Sequence, residues 1–321
     1  MANVSRLALL LALLAFARAS FSLTHADEIP SAEELVQAFQ ASAGTASIVP
    51  YRLSAKLTLT PDKNVSIAGQ VAYARDKDRS RIEITAGDYH EIRVVLGDRI
   101  YVNGSQKALP RRTNLESLES LWTGIFSRVS CCAAFSQVEK KKIEGVNAYC
   151  FTMARQNARP RRICLAREDK TVLETYDGFE KISFLQYRTL EGFRYPSHIQ
   201  IVDDGKPFLE ILDLAMQQGA PAESFTAPQD ARIFESCADQ ESEQPLQMTM
   251  PRVPSRWHSS YATVYAVVQV DGSLTDVQVE VSRADENFVR ALKEVTAQWR
   301  FAPATCGGKA VAVEMQLEIH N

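Results

Sequence analysis

From Tyr51 onward, apolar residues recur at every second position. Leu53, Ala55, Leu57 and Leu59 alternate with polar neighbours, and Val65, Ile67, Gly69, Val71 and Tyr73 do so again after the turn residues Pro61-Asp62-Lys63-Asn64. A period of two is the mark of a strand with one buried face. Further strands are predicted at 81–85, 90–96 and 99–102, punctuated by Ala86-Gly87-Asp88, Gly97-Asp98 and Asn103-Gly104. Alternation resumes at Gln137 and predicts strands at 137–144, 147–154, 161–167, 171–176, 179–189, 192–202 and 207–215. Gly145, Asp177-Gly178, Glu191-Gly192 and Asp203-Asp204-Gly205 mark the turns between them.

Two segments carry helical spacing instead. Ser31 and Glu34 stand at capping-box separation, and Leu35, Val36, Phe39 and Ala43 then share a face, which predicts a helix over 32–43. Asn114 caps a second predicted helix, where Leu115, Leu118, Leu121, Trp122, Ile125, Phe126 and Val129 form a broad apolar face. Glu116 and Glu119 near its start and Arg128 at its end suit the helix dipole. Residues 27–229 therefore read as about ten strands and two covering helices. The expected architecture is one long antiparallel curved β-sheet, a half-barrel, with its apolar face under the helices and a polar outer face.

Residues 230–256 change character. They are polar, with prolines at 245, 251 and 254, and read as a linker. Beyond it, Tyr261 to Val270 predicts a strand, Asp271-Gly272 a tight turn, and Leu274 to Ser282 the returning strand. Asp285 caps a helix on which Phe288, Leu292, Val295 and Trp299 share one face. Pro303 stops it, Gly307-Gly308 turns the chain, and Ala310 to Ile319 alternates as a last strand. Residues 257–321 thus form a small β-β-α-β domain, and the whole chain is α+β. Val311, Val313, Met315, Leu317 and Ile319 are expected to face the helix, with Lys309, Glu314, Gln316 and Glu318 turned away.

The first 26 residues fix the expected compartment. Arg6 precedes an unbroken apolar run, Leu7 to Ala17, of signal-peptide length, and two small-x-small sites follow at Ala17-Arg18-Ala19 and Thr24-His25-Ala26. The mature chain is expected to begin at Ser20 or Asp27 and to be soluble in the periplasm or cell envelope, without a retained transmembrane anchor. Six cysteines agree with an oxidising compartment, and none forms a Cys-x-x-Cys pair. Cys150 and Cys164 each lie seven residues from Asn157, so a hairpin centred there sets them opposite one another at disulfide range. Cys237 and Cys306 are the second expected pair. Adjacent Cys131 and Cys132 either form a vicinal bridge or stay free.

Composition narrows the chemistry. In 321 residues, 45% are hydrophobic and 23% charged, and net charge is −3. These values fit a globular chain of one or two domains and supply no basic field for nucleic acid. No nucleophile elbow, Walker loop or dinucleotide fingerprint is present. Ser197-His198 and His258-Ser259 are neighbours in sequence only, which sets up no catalytic geometry. The Arg155, Arg159, Arg161, Arg162 and Arg167 stretch reads as a solvated face around a hairpin. The chain is read as non-enzymatic, with no cofactor, metal or catalytic residue.

Two resemblances add to this. The opening helix, the strand meander, the mid-chain helix and Phe225-Thr226-Ala227-Pro228 after the last strand resemble the LolA/LolB periplasmic lipoprotein-carrier half-barrel. That resemblance implies an interior able to hold acyl chains or a lipidated partner; a sheet packed solid by its own helices is the alternative. The last seventy to eighty residues resemble the C-terminal domain of TonB-family energy transducers. Asp271-Gly272-Ser273-Leu274, Asp276-Val277, Trp299-Arg300-Phe301-Ala302-Pro303-Ala304 and Gly308 carry the likeness, while Val253 and Ala310 depart from that family's tyrosine and proline. It implies docking of a receptor or envelope peptide by strand addition on the sheet edge Ala310, Val311, Ala312, Val313, Glu314, Met315, Gln316 and Leu317. The lead-in segment Pro251, Arg252, Val253, Pro254 and Arg256 would assist, unless the linker or a second copy covers that edge. Two functions follow: an envelope adaptor with a TonB-like docking module, linked to transport across the outer membrane, or a lipid or lipoprotein carrier for which that module is accessory.

Overall fold

The computed structural model describes residues 29–42, 50–62, 65–104, 109, 115–126, 133–155, 159–203, 205–251, 261–281 and 286–320. Residues 1–26, Asn114, Val129, Cys131, Cys132, Asn157, Asp285 and the lead-in residues Arg252, Val253, Pro254 and Arg256 lie outside them.

Helix α1 (Ala32–Ser42) opens on the capping box that its sequence announces. The Ser31 N–H donates to Glu34 Oε2 at 2.8 Å and the Glu34 N–H to Ser31 Oγ at 3.2 Å, so two N–H groups that the helix leaves free are satisfied reciprocally. Leu35, Val36 and Phe39 are buried. Then β1 (Tyr51–Asp62), β2 (Val65–Asp76), β3 (Arg79–Ala86), β4 (Tyr89–Leu96) and β5 (Arg99–Gly104) run as an antiparallel meander. A second run follows: β6 (Ala134–Phe135), β7 (Glu139–Ile143), β8 (Val146–Ala154), β9 (Arg161–Ala166), β10 (Val172–Tyr176), β11 (Glu180–Leu190), β12 (Phe193–Asp203) and β13 (Lys206–Gln218).

These strands belong to one 14-stranded curved sheet that does not close into a barrel. The two meanders join where β1 pairs with β13, with Tyr51 opposite Gln218 and Leu59 opposite Leu209. One face gathers Leu53, Leu57, Ile82, Ile84, Phe151, Leu165, Phe184, Ile199 and Ile211 into a continuous core with α1. The outer face exposes Arg52, Ser54 and Lys56 on β1. It is not polar throughout: Ala148, Cys150, Cys164, Ala166 and Leu173 bury a separate apolar patch. Cys150 stands opposite Cys164 and the two are disulfide-bonded.

Three sequence expectations need correction. The helix expected over 114–129 is, within its described part, interrupted: Leu115 and Glu116 are helical, residues 117–119 form turns, and the short α2 (Ser120–Thr123) follows. The backbone bonds Leu118→Leu115, Ser120→Ser117 and Leu121→Leu118 span three residues, whereas Thr123→Glu119 and Gly124→Ser120 span four, so 3₁₀-like turns run into a single turn of α geometry. The polar stretch 230–256 is not a free linker. Its β14 (Arg232–Glu235) pairs with β5 as an edge strand of the large sheet, and Phe234 is buried. Its β15 (Gln244–Gln247) belongs instead to the C-terminal unit.

That unit has the expected β-β-α-β order, with extra short strands. It comprises β16 (Tyr261–Val268), β17 (Leu274–Val281), α3 (Glu286–Thr296), β18 (Arg300–Ala302), β19 (Ala304–Cys306), β20 (Lys309–Val311) and β21 (Val313–His320). The third correction is to its details. Trp299 lies beyond the end of α3, where its indole N–H donates to the Thr249 carbonyl at 2.8 Å. The last strand breaks at Ala312, so that β20 pairs with β19 while β21 pairs with β16. Phe288, Leu292, Trp299, Val311, Val313, Met315 and Ile319 form this unit's own core. Cys237 and Cys306 are disulfide-bonded, tying the connector after β14 to β19.

Candidate functional site

The inner face of the large sheet and the segment laid into it, residues 115–126, form the most distinctive chemical setting. Leu115, Leu118, Trp122, Ile125 and Phe126 are buried among the strands. Phe126 contacts Phe39 edge-on with ring centres 5.0 Å apart, and stacks on Phe151 at 6.2 Å. The backbone of this plug is poorly regular, so its position rests on side-chain insertion. The Trp122 indole N–H is buried and has no acceptor among the described residues; a buried donor left unpaired costs about 1–3 kcal/mol.

Polar anchors hold the plug at two points. Glu119 is buried and accepts hydrogen bonds from the Tyr51 hydroxyl and, at 3.3 Å, from Arg75 Nη1. Burial first, and the Glu119 charge second, push the Tyr51 phenol well above its usual range. Burial likewise raises Tyr73 beside it.

The second anchor is Arg93. The register sets Arg93 opposite Ile82 and Glu91 opposite Ile84, so strand β4 turns two charges onto the apolar inner face. Arg93 Nη2 donates to Glu116 Oε1 of the plug at 3.2 Å and to Glu314 Oε2 of β21 at 2.5 Å. Its Nε lies 3.4 Å from Glu91 Oε1. Burial alone would weaken the Arg93 charge; Glu116, Glu314 and Glu91 more than offset it and hold the guanidinium protonated. An inward charge in an alternating strand is the signal that could have marked this place in the sequence.

The expected edge strand is divided in use. In the three-stranded sheet β17-β16-β21, β21 does lie at an edge. Its residues Val313 and Met315 pack into the unit's core, Gln316 is exposed, and Leu317 is half-buried. Glu314, expected on an outward polar face, points to Arg93 instead. The reason is that this face of the sheet lies against the large sheet: Thr263, Tyr265 and Val267 of β16 are all buried there, and Val267 meets Val102 and Phe234. Ala310 and Val311 belong to β20, and Ala312 packs beside the Val267 contact. Of the lead-in residues, Pro251 alone is described, and it is half-buried. A groove of about 230 Å³ runs beside β21, lined by Arg93, Glu116, Phe234, Glu235 and Gln316 among others. Among the described residues no helix is long and apolar enough to cross a membrane.

No protein-family model and no curated protein matches the chain. Solved structures with a similar course of chain include a LolA-superfamily protein of Nitrosomonas europaea, at 10% identity and TM-score 0.41, covering 62% of this chain and 98% of that one. A DUF1329-family protein of Desulfovibrio piger matches at 9% identity and TM-score 0.43, with coverages of 62% and 98%. The MucA/MucB complex of Pseudomonas aeruginosa matches at 10% identity and TM-score 0.31, over 75% of this chain and 82% of that one.

Proposed function

We propose that this chain is a non-enzymatic, exported binding protein of the cell envelope whose half-barrel receives an apolar ligand, an acyl chain or the lipid of a lipidated partner. The observation that carries this reading is the plug. Five apolar side chains fill the inner face from a segment whose helical turns are short and interrupted at residues 117–119. Such a filling can be displaced at low backbone cost, and an acyl chain would replace the same buried contacts. The unsatisfied Trp122 N–H would gain an acceptor from an ester or amide carbonyl of the ligand.

The test is native mass spectrometry of the mature chain incubated with excess phospholipid or a diacylated peptide. Bound lipid mass is expected, together with a shift in Trp122 fluorescence relative to a Trp122→Phe variant. A chain that stays empty under these conditions, with 115–126 unchanged in amide exchange, refutes the carrier reading. A second reading, strand addition by an envelope peptide, is favoured by the edge position of β21 in its sheet.

A further inference from the structure

The C-terminal unit meets the half-barrel beside the plug, and the contact is built largely from charge. Glu314 offers one carboxylate oxygen to Arg93 Nη2 at 2.5 Å and the other toward Arg232 Nη2 at 3.9 Å. Arg232, on β14, also donates to Asp276 on β17 at 2.8 Å. Beside these pairs, Val102 and Phe234 of the large sheet bury Val267 of β16. Arg93 is the joint of the arrangement, since the same Nη2 serves Glu116 in the plug and Glu314 in the C-terminal unit. Three elements that are remote in sequence therefore share one nearly buried cation.

We propose that the C-terminal unit is a latch on the plug: seating the unit shields the Arg93–Glu116 pair from water, and lifting it exposes that pair and loosens residues 115–126. A charge pair out of water is far stronger than the same pair at the surface, where solvent and salt screen it. Glu116 and Glu314 also repel one another, which acts in the opposite direction. The guanidinium sits between them and donates to both, so loss of shielding dominates. Linkage then requires reciprocity: whatever displaces the plug lowers the affinity of the C-terminal unit for its seat, and the reverse. The Cys237–Cys306 bond fixes the connector to the unit, so that the lifted unit stays close to its seat. The latch rests on the proposed function for its purpose, but not for its existence.

Hydrogen exchange on the full mature chain, with no lipid added, separates the two. Wild type is compared with Glu314→Gln, Asp276→Asn and the bystander Lys293→Ala, whose side chain is exposed on α3 of the same unit. Exchange of amides in 118–124 is expected to rise about tenfold or more in Glu314→Gln, by a smaller factor of about two to five in Asp276→Asn, whose half-exposed pair solvent screens, and to stay unchanged in the third. Asp276→Asn is the decisive arm, because Asp276 pairs with Arg232 at a half-open site and, among the described residues, bonds to neither the plug nor Arg93. It also carries the test should Glu314→Gln fail to fold. Faster exchange at 263–267 with 118–124 unchanged, or slowed, overturns the latch. That outcome leaves the lipid reading standing, whereas an empty half-barrel with the expected exchange pattern removes the lipid reading and keeps the latch.

Discussion

Inside the half-barrel, Tyr51 is fully buried and gives its hydroxyl hydrogen to Glu119, so the phenol must keep its proton for the plug to stay anchored. Burial, then Glu119 and Tyr73, raise its pKa, and burial first of all does the same for Tyr187, whose hydroxyl donates to the Val172 carbonyl at 2.6 Å. A folded-state pKa above the unfolded value of about 10 means that the folded chain holds the proton more tightly. The stability this supplies is complete below that pH and is lost as pH rises past it. Tyr51, Tyr73 and Tyr187 are therefore expected to stay un-ionised until alkaline unfolding, when they titrate together. Ultraviolet tyrosinate absorbance against pH checks this, and ionisation of the buried phenols in the still-folded chain would contradict it. Gly69 shows a different kind of constraint at the same scale. A Cβ there would sit 2.1 Å from the Thr85 carbonyl oxygen, so only glycine lets β2 and β3 approach as they do.

Among the elements, the β8–β9 hairpin carries its own brace. Closing the loop between Cys150 and Cys164, 14 positions apart, is worth about 3 kcal/mol in the chain-entropy model. The Cys150→Ala/Cys164→Ala variant is expected to lose about that much in urea unfolding, with the strand register kept. A loss near zero would mean that Ala148, Ala166 and Leu173 hold the hairpin unaided. Most strands were legible to within a few residues: β1 and β2 alternate apolar and polar positions, β8 to β10 read as short apolar runs buried on both faces, and polar or glycine-containing turns separate the strands. The plug was over-read as a helix: seven apolar residues at helical spacing satisfy a periodicity argument, but insertion of Trp122 and Phe126 and the ties at Glu116 and Glu119 set the backbone instead. Strand β14 was hidden because a single buried aromatic, Phe234, stands among polar residues. Of the Arg93 cluster only the inward charges on β4 leave a local mark; its partner Glu314 lies 221 positions from Arg93, beyond the reach of any local pattern.

At the scale of the whole molecule, the structure is two cores joined by charge pairs around a small apolar contact of Val102, Phe234 and Val267, and the strand order of the larger unit has a consequence for how the chain is made. Strand β1 is central in the large sheet, yet one of its two neighbours, β13, is encoded far downstream; Lys56 and Asp213, paired across that junction at 2.9 Å, lie 157 positions apart. A chain that emerges N-terminus first completes β1 to β5 with the far side of β1 still bare. That bare side, Leu53 to Leu59, is extended and apolar on its inner face, the kind of edge that pairs with the wrong neighbour. Nothing satisfies it until Lys206 to Gln218 arrives, and contacts so distant in sequence form slowly. A chain ending at Leu190 is expected to aggregate, whereas one ending at Pro228 should fold; light scattering during refolding of the two distinguishes them. Cover for β1 during the wait, from an escort or from a neighbouring segment of the same chain, is thus the expectation that strand order alone sets.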